Sequence, residues 1–151
     1  VNTYEADDSP ARLDVDAIYR FLSTEAYWNR WRTRAQIEQQ ISGAWRVVGI
    51  YVRETNELVG YARAISDGVS DAYLGDVYVL SEHRGQGLGK LLLRTMVDEG
   101  PGKNLRWILT TKDAHELYRK FGFAEPDERM MVRPGSFPTS ASGEITDLGA
   151  E

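Results

Sequence analysis

The apolar positions of this chain keep a helical spacing at first, switch to strand spacing, and then alternate between the two. From Ser9 to Leu22 the inward set Ile18, Phe21 and Leu22 recurs at helical intervals, with Asp14 placed to cap the first turn. Glu25 to Arg32 is aromatic and cationic and keeps no clean period. A capping box, Thr33-x-x-Gln36, then opens a second helix carrying Ile37 and Ile41, with Gly43 as its stop signal. From Trp45 the spacing changes. Trp45 to Val52, Leu58 to Ile65 and Ala72 to Leu80 are apolar and rich in β-branched residues. The turn-forming runs Glu54 to Glu57 and Asp67-Gly68 separate them, which predicts an antiparallel meander. Gly75, inside the last of these strands, is a candidate for a bulge or a close ligand approach.

Helical spacing returns at Leu88, Leu91, Leu92, Thr95 and Met96, and Gly100-Pro101-Gly102 breaks it. Leu105 to Leu109 reads as a short buried strand, parallel to its neighbour because a helix precedes it. Ala114, Leu117, Tyr118 and Phe121 mark a further helix, with Asp113-x-x-Glu116 at its start and Gly122 at its end. Phe123 and the run Met130-Met131-Val132 predict a last piece of β structure. Pro134 to Glu151, rich in Pro, Gly, Ser and Thr, reads as a flexible tail. The expected organisation is a single α/β domain over residues 1–133 and a tail over 134–151, with no internal repeat.

Composition narrows the chemistry. At 151 residues with 42% hydrophobic and 27% charged, the chain is long enough for one core and ordinary for a soluble domain. A net charge of -5 argues against a nucleic-acid partner, because phosphate binding needs a basic face. Arg30, Arg32 and Arg34 form a local exception, readable as a solvated face or as a grip for an acidic ligand. The absence of cysteine excludes disulfides, thiolate metal ligands and a cysteinyl acyl-enzyme. With His83 and His115 the only imidazoles, no histidine-rich metal site is expected. No apolar run approaches the roughly 20 residues needed to span a bilayer. Val1 to Pro10 is acidic and polar, unlike a signal peptide. A cytoplasmic protein with no membrane partner is the expectation.

The stretch that carries chemistry runs from Asp76 to Glu99. A strand ends at Leu80, a polar turn Ser81-Glu82-His83 follows, and Arg84-Gly85-Gln86-Gly87-Leu88-Gly89 leads into the helix. Glycines let a ligand approach the backbone, and the unpaired amides at a helix start attract phosphate. The spacing excludes two common phosphate loops. A Walker loop needs Ser or Thr after Gly-Lys, and here Gly89-Lys90 precedes Leu91. A dinucleotide fingerprint needs G-x-G-x-x-G, whereas Gly85, Gly87 and Gly89 are spaced by two.

Arg84 to Gly89 resembles the R/Q-x-x-G-x-G/A motif of the GCN5-related N-acetyltransferases, the GNAT enzymes. Leu117-Tyr118-Arg119-Lys120-Phe121-Gly122-Phe123 is similar to their L-Y-x-K-x-G-F segment, and the element order agrees from about Leu13 to Arg133. The resemblance implies the GNAT α/β fold, a mixed, mostly antiparallel twisted sheet flanked by helices that splays open beside the glycine loop. It implies acetyl-CoA as co-substrate, with no metal. The pantetheine arm would run along Val77, Tyr78 and Val79, the Val79 N–H facing the thioester carbonyl. Arg84, Gly85, Gln86, Gly87, Leu88, Gly89 and Lys90 would cradle the pyrophosphate.

The resemblance also assigns roles to single residues. Taken alone, the inward Tyr118 reads as core packing. Its place in the motif implies a proton donor to the departing CoA thiolate, a role suited to a phenol of pKa about 10. Asp76 reads equally as the base that accepts the amine's proton or as a hydrogen-bonded structural carboxylate. Thr111 stands where family members often carry a cofactor-contacting Asn, so that contact is shortened or lost. His83 and His115 read as surface or capping residues.

For the acceptor, Tyr27, Trp28, Trp31, Tyr51, Tyr61, Tyr73 and Tyr78 offer aromatic walls, while Arg63 and Arg30 suit a carboxylate. The expected reaction moves acetyl to a primary amine of a small-molecule or amino-acid-like acceptor, directly within a ternary complex. A peptide or protein acceptor and a non-catalytic acyl-CoA-binding module are the alternatives. A homodimer is a further expectation at the level of the fold.

Overall fold

The computed structural model describes residues 1–137, so most of the tail read from the sequence lies outside the described residues. Among the described residues the sheet has five strands in the order β1-β2-β3-β4-β5. They are β1 (Tyr4–Asp7), β2 (Arg46–Val52), β3 (Leu58–Ser66), β4 (Asp71–Val79) and β5 (Arg106–Ile108). The first four pair antiparallel, and β5 joins β4 in parallel, as a strand reached through a helical crossover should.

The helices begin where their capping residues stand. In α1 (Val15–Thr24) the Asp14 carboxylate accepts the Ala17 N–H at 3.0 Å. In α2 (Arg34–Gly43) Thr33 and Gln36 close the full capping box, at 3.1 and 2.8 Å. The helix α3 (Leu88–Leu93) continues through a π turn, Arg94–Asp98, and α4 (His115–Arg119) is short. A cap at Asp113 does not form. Ala114 takes the N-cap position, and the Thr111 hydroxyl accepts its N–H at 3.1 Å.

Two elements depart from the sequence expectation. The N-terminal segment, read as polar chain, is the edge strand β1. Tyr4 and Ala6 pack on the core, while Arg12 neutralises Glu5 and Asp7 at 2.7 and 3.0 Å. The β structure expected at Phe123 and Met130–Val132 is absent among the described residues. Pro126 has no N–H for a ladder, and Asp127 instead folds the chain locally by accepting the Arg129 N–H at 2.9 Å.

The sheet separates two apolar layers. Val48, Ile50, Val52, Val59, Ala62, Ala64 and Leu74 face α3, its π turn and Tyr118. Val47, Tyr51, Leu58, Tyr61 and Tyr78 face α1 and α2. Strand β4 contributes Leu74, Val77 and Val79 to the α3 side. Strict alternation forbids that set, because Leu74 and Val77 are an odd number of positions apart. A bulge resolves the conflict. Arg63 pairs with Gly75 and Tyr61 with Tyr78, so Asp76 and Val77 together oppose Ala62. Asp76 takes up the extra residue with φ +55°, one of the few non-glycine residues in the left-handed region.

Candidate active site

The bulge lies where the sheet opens. Strand β5 pairs with β4 only from Asp71 to Tyr73, so beyond Tyr73 the β4 edge has no strand beside it among the described residues. The Leu80 N–H donates to Val59 O at 2.8 Å, toward β3. Alternation then directs the N–H and carbonyl of Val79 to the opposite, open edge. Arg84 marks that side, its Nε donating to the Val79 carbonyl at 3.0 Å.

The glycine loop follows at once. Gly85 and Gly87 hold φ +79° and +78°, which glycine adopts without strain, and a Cβ on either would stand in open space. Gly87 is the N-cap of α3 and offers no side-chain cap. The first intrahelical bond into this helix runs from Leu91 N to Gly87 O at 3.0 Å. The amides of Leu88, Gly89 and Lys90 therefore lack intrahelical acceptors at the positive end of the helix dipole. Gly89 is closely packed for a different reason, because a Cβ there would stand 3.3 Å from the Leu117 side chain, which would have to give by a few tenths of an ångström.

Tyr118 projects from α4 toward the splay and is buried, with Phe123 edge-on at 5.7 Å between ring centroids. It borders a cleft of about 70 Å³ between β4 and the β5–α4 loop. Leu74, Gly75, Asp76, Val77, Thr110, Thr111, Asp113 and Ala114 complete the walls. Tyr27 and Trp28, from the loop between α1 and α2, also line it. The Tyr27 hydroxyl accepts the Lys112 N–H at 3.0 Å and so bridges the two sides of the splay. A larger surface cavity of about 620 Å³, lined by Asp8, Glu38, Trp45 and Arg46 among others, sits at the other end of β2, away from the glycine loop.

Asp76 is the most heavily engaged side chain of the site. Its Oδ1 accepts from Trp28 Nε1 at 2.7 Å and from Arg32 at 2.9 Å. Its Oδ2 accepts from Arg32 at 2.7 Å and from Arg63 Nε at 2.6 Å. Burial alone would raise its pKa, but the Arg32 hydrogen bonds and the charges of Arg63 and Arg32 prevail and hold it at about 2. Tyr61 and Tyr78 are buried nearby, and burial pushes both phenols upward. A carboxylate so placed has little basicity at neutral pH. The geometry argues against Asp76 as the proton acceptor and matches its alternative reading as a structural carboxylate.

The remaining expected residues are dispersed. Of the proposed acceptor contacts, Tyr27 and Trp28 reach the cleft. Trp31 stacks on Phe137 instead, with ring centroids 4.8 Å apart. Arg63 is committed to Asp76 at the back of β4. Arg30 donates to the Thr24 carbonyl at 3.2 Å. Thr111 lines the cleft while capping Ala114. His83 holds the Tyr4 hydroxyl at 2.8 Å through Nδ1. The sequence alone does not single out Arg32, which reads with Arg30 and Arg34 either as a solvated face or as a grip for an acidic ligand. Its signal was indirect: charged residues inside apolar strands, as Arg63 and Asp76 are, are buried only when paired.

A mixed sheet that splays beside a glycine loop, with a buried tyrosine facing the opening, defines an acyl-CoA N-acyltransferase fold. The chain belongs to the acetyltransferase (GNAT) family, whose family model matches residues 15–123. It is 30% identical over 141 residues to a protein of Gibberella zeae named as an acetyltransferase, covering 81% of this chain and 80% of that one. A histone acetyltransferase of Glycine max is 36% identical over 77 residues, which span 49% of this chain and 33% of the soybean protein. Among solved structures, a GNAT-family protein from Xanthomonas campestris pv. campestris superposes with a TM-score of 0.79 at 35% identity, covering 87% of this chain and 92% of that one. Among the described residues, no helix is long and apolar enough to cross a membrane.

Proposed function

We propose that this chain moves the acetyl group of acetyl-CoA to a primary amine of a small-molecule or amino-acid-like acceptor. Transfer is direct, within a ternary complex, since the sequence offers no cysteine to carry an acyl group. The observation that carries this reading is the alignment of three parts along one opening. The amides of residues 85–90 receive the pyrophosphate, the free edge of β4 up to Val79 receives the pantetheine arm, and Tyr118 faces the far end of that track.

In this reading the Val79 N–H donates to the thioester carbonyl and stabilises the charge that builds on its oxygen during attack, with no reorganisation of the backbone. The amine nitrogen bonds to the acetyl carbon, the carbon–sulfur bond breaks, and the thiolate takes the Tyr118 proton. The amine's own proton leaves to water rather than to Asp76, whose carboxylate is committed to Arg32 and Arg63.

The test is thiol release from acetyl-CoA over a panel of amines comprising free amino acids, a hexosamine, a polyamine and a histone tail peptide. Release with a small amine, and intersecting double-reciprocal plots, support the reading. Parallel plots would indicate an acyl-enzyme and overturn direct transfer. Turnover only with the peptide would shift the acceptor class to protein, a second reading that the soybean relative's name favours. Acetyl-CoA binding without release over the whole panel would favour a binding module.

A further inference from the structure

We propose that Asp76, Arg32 and Arg63 form a positioning network that holds the β4 bulge and the Trp28 wall in register, and thereby aims the Val79 N–H toward the open edge of β4. The proposal rests on the acetyl-transfer reading only for what that aim accomplishes. The network itself stands on geometry. One carboxylate gathers donors from the α1–α2 loop, through Trp28 and Arg32, and from β3, through Arg63. Arg32 extends the tie, its Nε donating to Asn29 O at 3.0 Å and NH1 to Gln40 Oε1 of α2 at 2.7 Å. Loop, helix and both central strands thus meet at Asp76.

Two features suggest that this arrangement serves more than stability. Burying the charges is costly, and well-packed apolar residues stabilise as well or better. Arg32, Arg63 and Asp76 are nonetheless 3%, 6% and 2% exposed. The network is also centred on the residue that departs from strand geometry, Asp76 at φ +55°. Aspartate tolerates this conformation better than most residues, yet inside a strand it still costs energy, which the four hydrogen bonds to the Asp76 carboxylate offset. The bulge has a specific consequence for the site. It adds one residue to β4 between the pairs Gly75–Arg63 and Tyr78–Tyr61. Since side-chain and amide directions reverse at every step, a β4 that lost the bulge would shift by one position. Val79 would then turn its N–H into the ladder with β3, and Val77 would leave the α3 side. Trp28, held by the same carboxylate, would lose its place in the cleft wall.

The experiment compares Asp76→Asn, Arg32→Lys and Trp28→Phe with the unaltered protein. Each is checked for a cooperative melt. Rates use acetyl-CoA and the panel amine with the fastest turnover, or acetyl-CoA hydrolysis where no amine is used. Misplacement of about 1 Å at a reacting centre costs on the order of 100-fold, so Asp76→Asn and Arg32→Lys should each lower kcat about 10- to 100-fold. Lysine keeps the charge of Arg32 but not its two-pronged fork, so a geometric role forbids rescue. The pH at which the rate rises should stay where it is in the unaltered protein. Amide exchange over residues 74–80 should accelerate in both variants.

Trp28→Phe removes one neutral donor, and a smaller change in the same direction is expected. If Asp76→Asn fails to fold, Arg32→Lys and Trp28→Phe carry the test. Wild-type kcat in Arg32→Lys overturns the proposal. So does a moved pH limb in Asp76→Asn alone, which would restore Asp76 as proton acceptor. If the unaltered protein releases no thiol at all, the acetyl-transfer reading fails. The exchange at 74–80 still decides the network, since unchanged exchange in every variant refutes it.

Discussion

The stability of the Asp76 network can be worked from two independent directions. Replacing Asp76 with Asn keeps the size of the side chain and its tolerance of a left-handed backbone. It removes the negative charge that faces Arg32 and Arg63 and turns one acceptor into an amide that opposes their donors. Removing one partner of a buried ion pair costs about 3–5 kcal/mol, and the oxygen that Asn retains points to the lower end. The second direction is proton linkage. Each pK unit is worth about 1.4 kcal/mol, so lowering Asp76 from 3.8 to about 2 corresponds to a stabilisation of roughly 2 kcal/mol. A protonated Asp76 resembles Asn, so the two figures estimate nearly the same quantity, and they agree to about 1 kcal/mol. The sign follows from the folded-state pKa being the lower one. The stabilisation is complete above the unfolded value near 4 and is lost as pH falls toward 2. Urea unfolding of both proteins at pH 7, 5 and 3 measures it. The gap between wild type and Asp76→Asn should be about 3 kcal/mol at pH 7 and 5, and about 1 kcal/mol narrower at pH 3. Taking the difference cancels the other carboxylates, which titrate in both proteins. A gap below 1 kcal/mol at pH 7, or one that stays constant down to pH 3, refutes the assignment of this carboxylate as a buried counter-ion.

Tyr118→Phe should lower kcat by about 10²–10⁴-fold, the usual range for a positioned acid, with acetyl-CoA affinity nearly unchanged. Initial rates of thiol release and calorimetric titration check the two halves. Gly87→Ala places a Cβ in open space at φ +78°, so it should cost about 1–2 kcal/mol of stability through the backbone and weaken acetyl-CoA binding as well. Thermal melts and the same titration separate these effects. Thr33→Ala breaks the capping box of α2 and should cost about 1 kcal/mol with turnover retained. A loss of activity without a lower melting temperature would mean that the cap acts on the site.

What could be read from the sequence was mostly what neighbouring residues decide among themselves. Asp14 and Thr33 cap their helices through atoms three positions away, and the glycine loop is local to residues 84–89. The meander and the parallel β5 also follow from local spacing and from the helix between them. Strand β1 escaped because its short alternation, Tyr4 and Ala6 in, Glu5 and Asp7 out, reads as polar chain until Arg12 folds back on the acids. The strand expected over Met130–Val132 fails for a complementary reason. Its residues favour a sheet, yet Met131 and Val132 are 93% and 69% exposed, and the turn before them leads elsewhere. Propensity supplies a strand only where an edge is there to receive it.

The site itself was legible to the extent that it consists of broken local rules. Positive φ at Gly85 and Gly87 was signalled by glycine, but positive φ at Asp76 was not, because aspartate in a strand announces only that it needs partners. Those partners, Arg32 and Arg63, lie 44 and 13 positions away, and only the folded sheet brings them together. The same fact separates two functions that a sequence reading merges. An acid beside the cofactor strand suggests proton transfer, and its pairing with two guanidiniums removes the basicity that transfer requires. What the pairing leaves is rigidity. In the network proposed above it fixes the backbone from Gly75 to Val79, and Gly75, Asp76 and Val77 of that segment line the cleft together with Tyr118. The strand beside the cleft is therefore tied by one ion pair to the α1–α2 loop and to β3, through a carboxylate that itself borders the cleft.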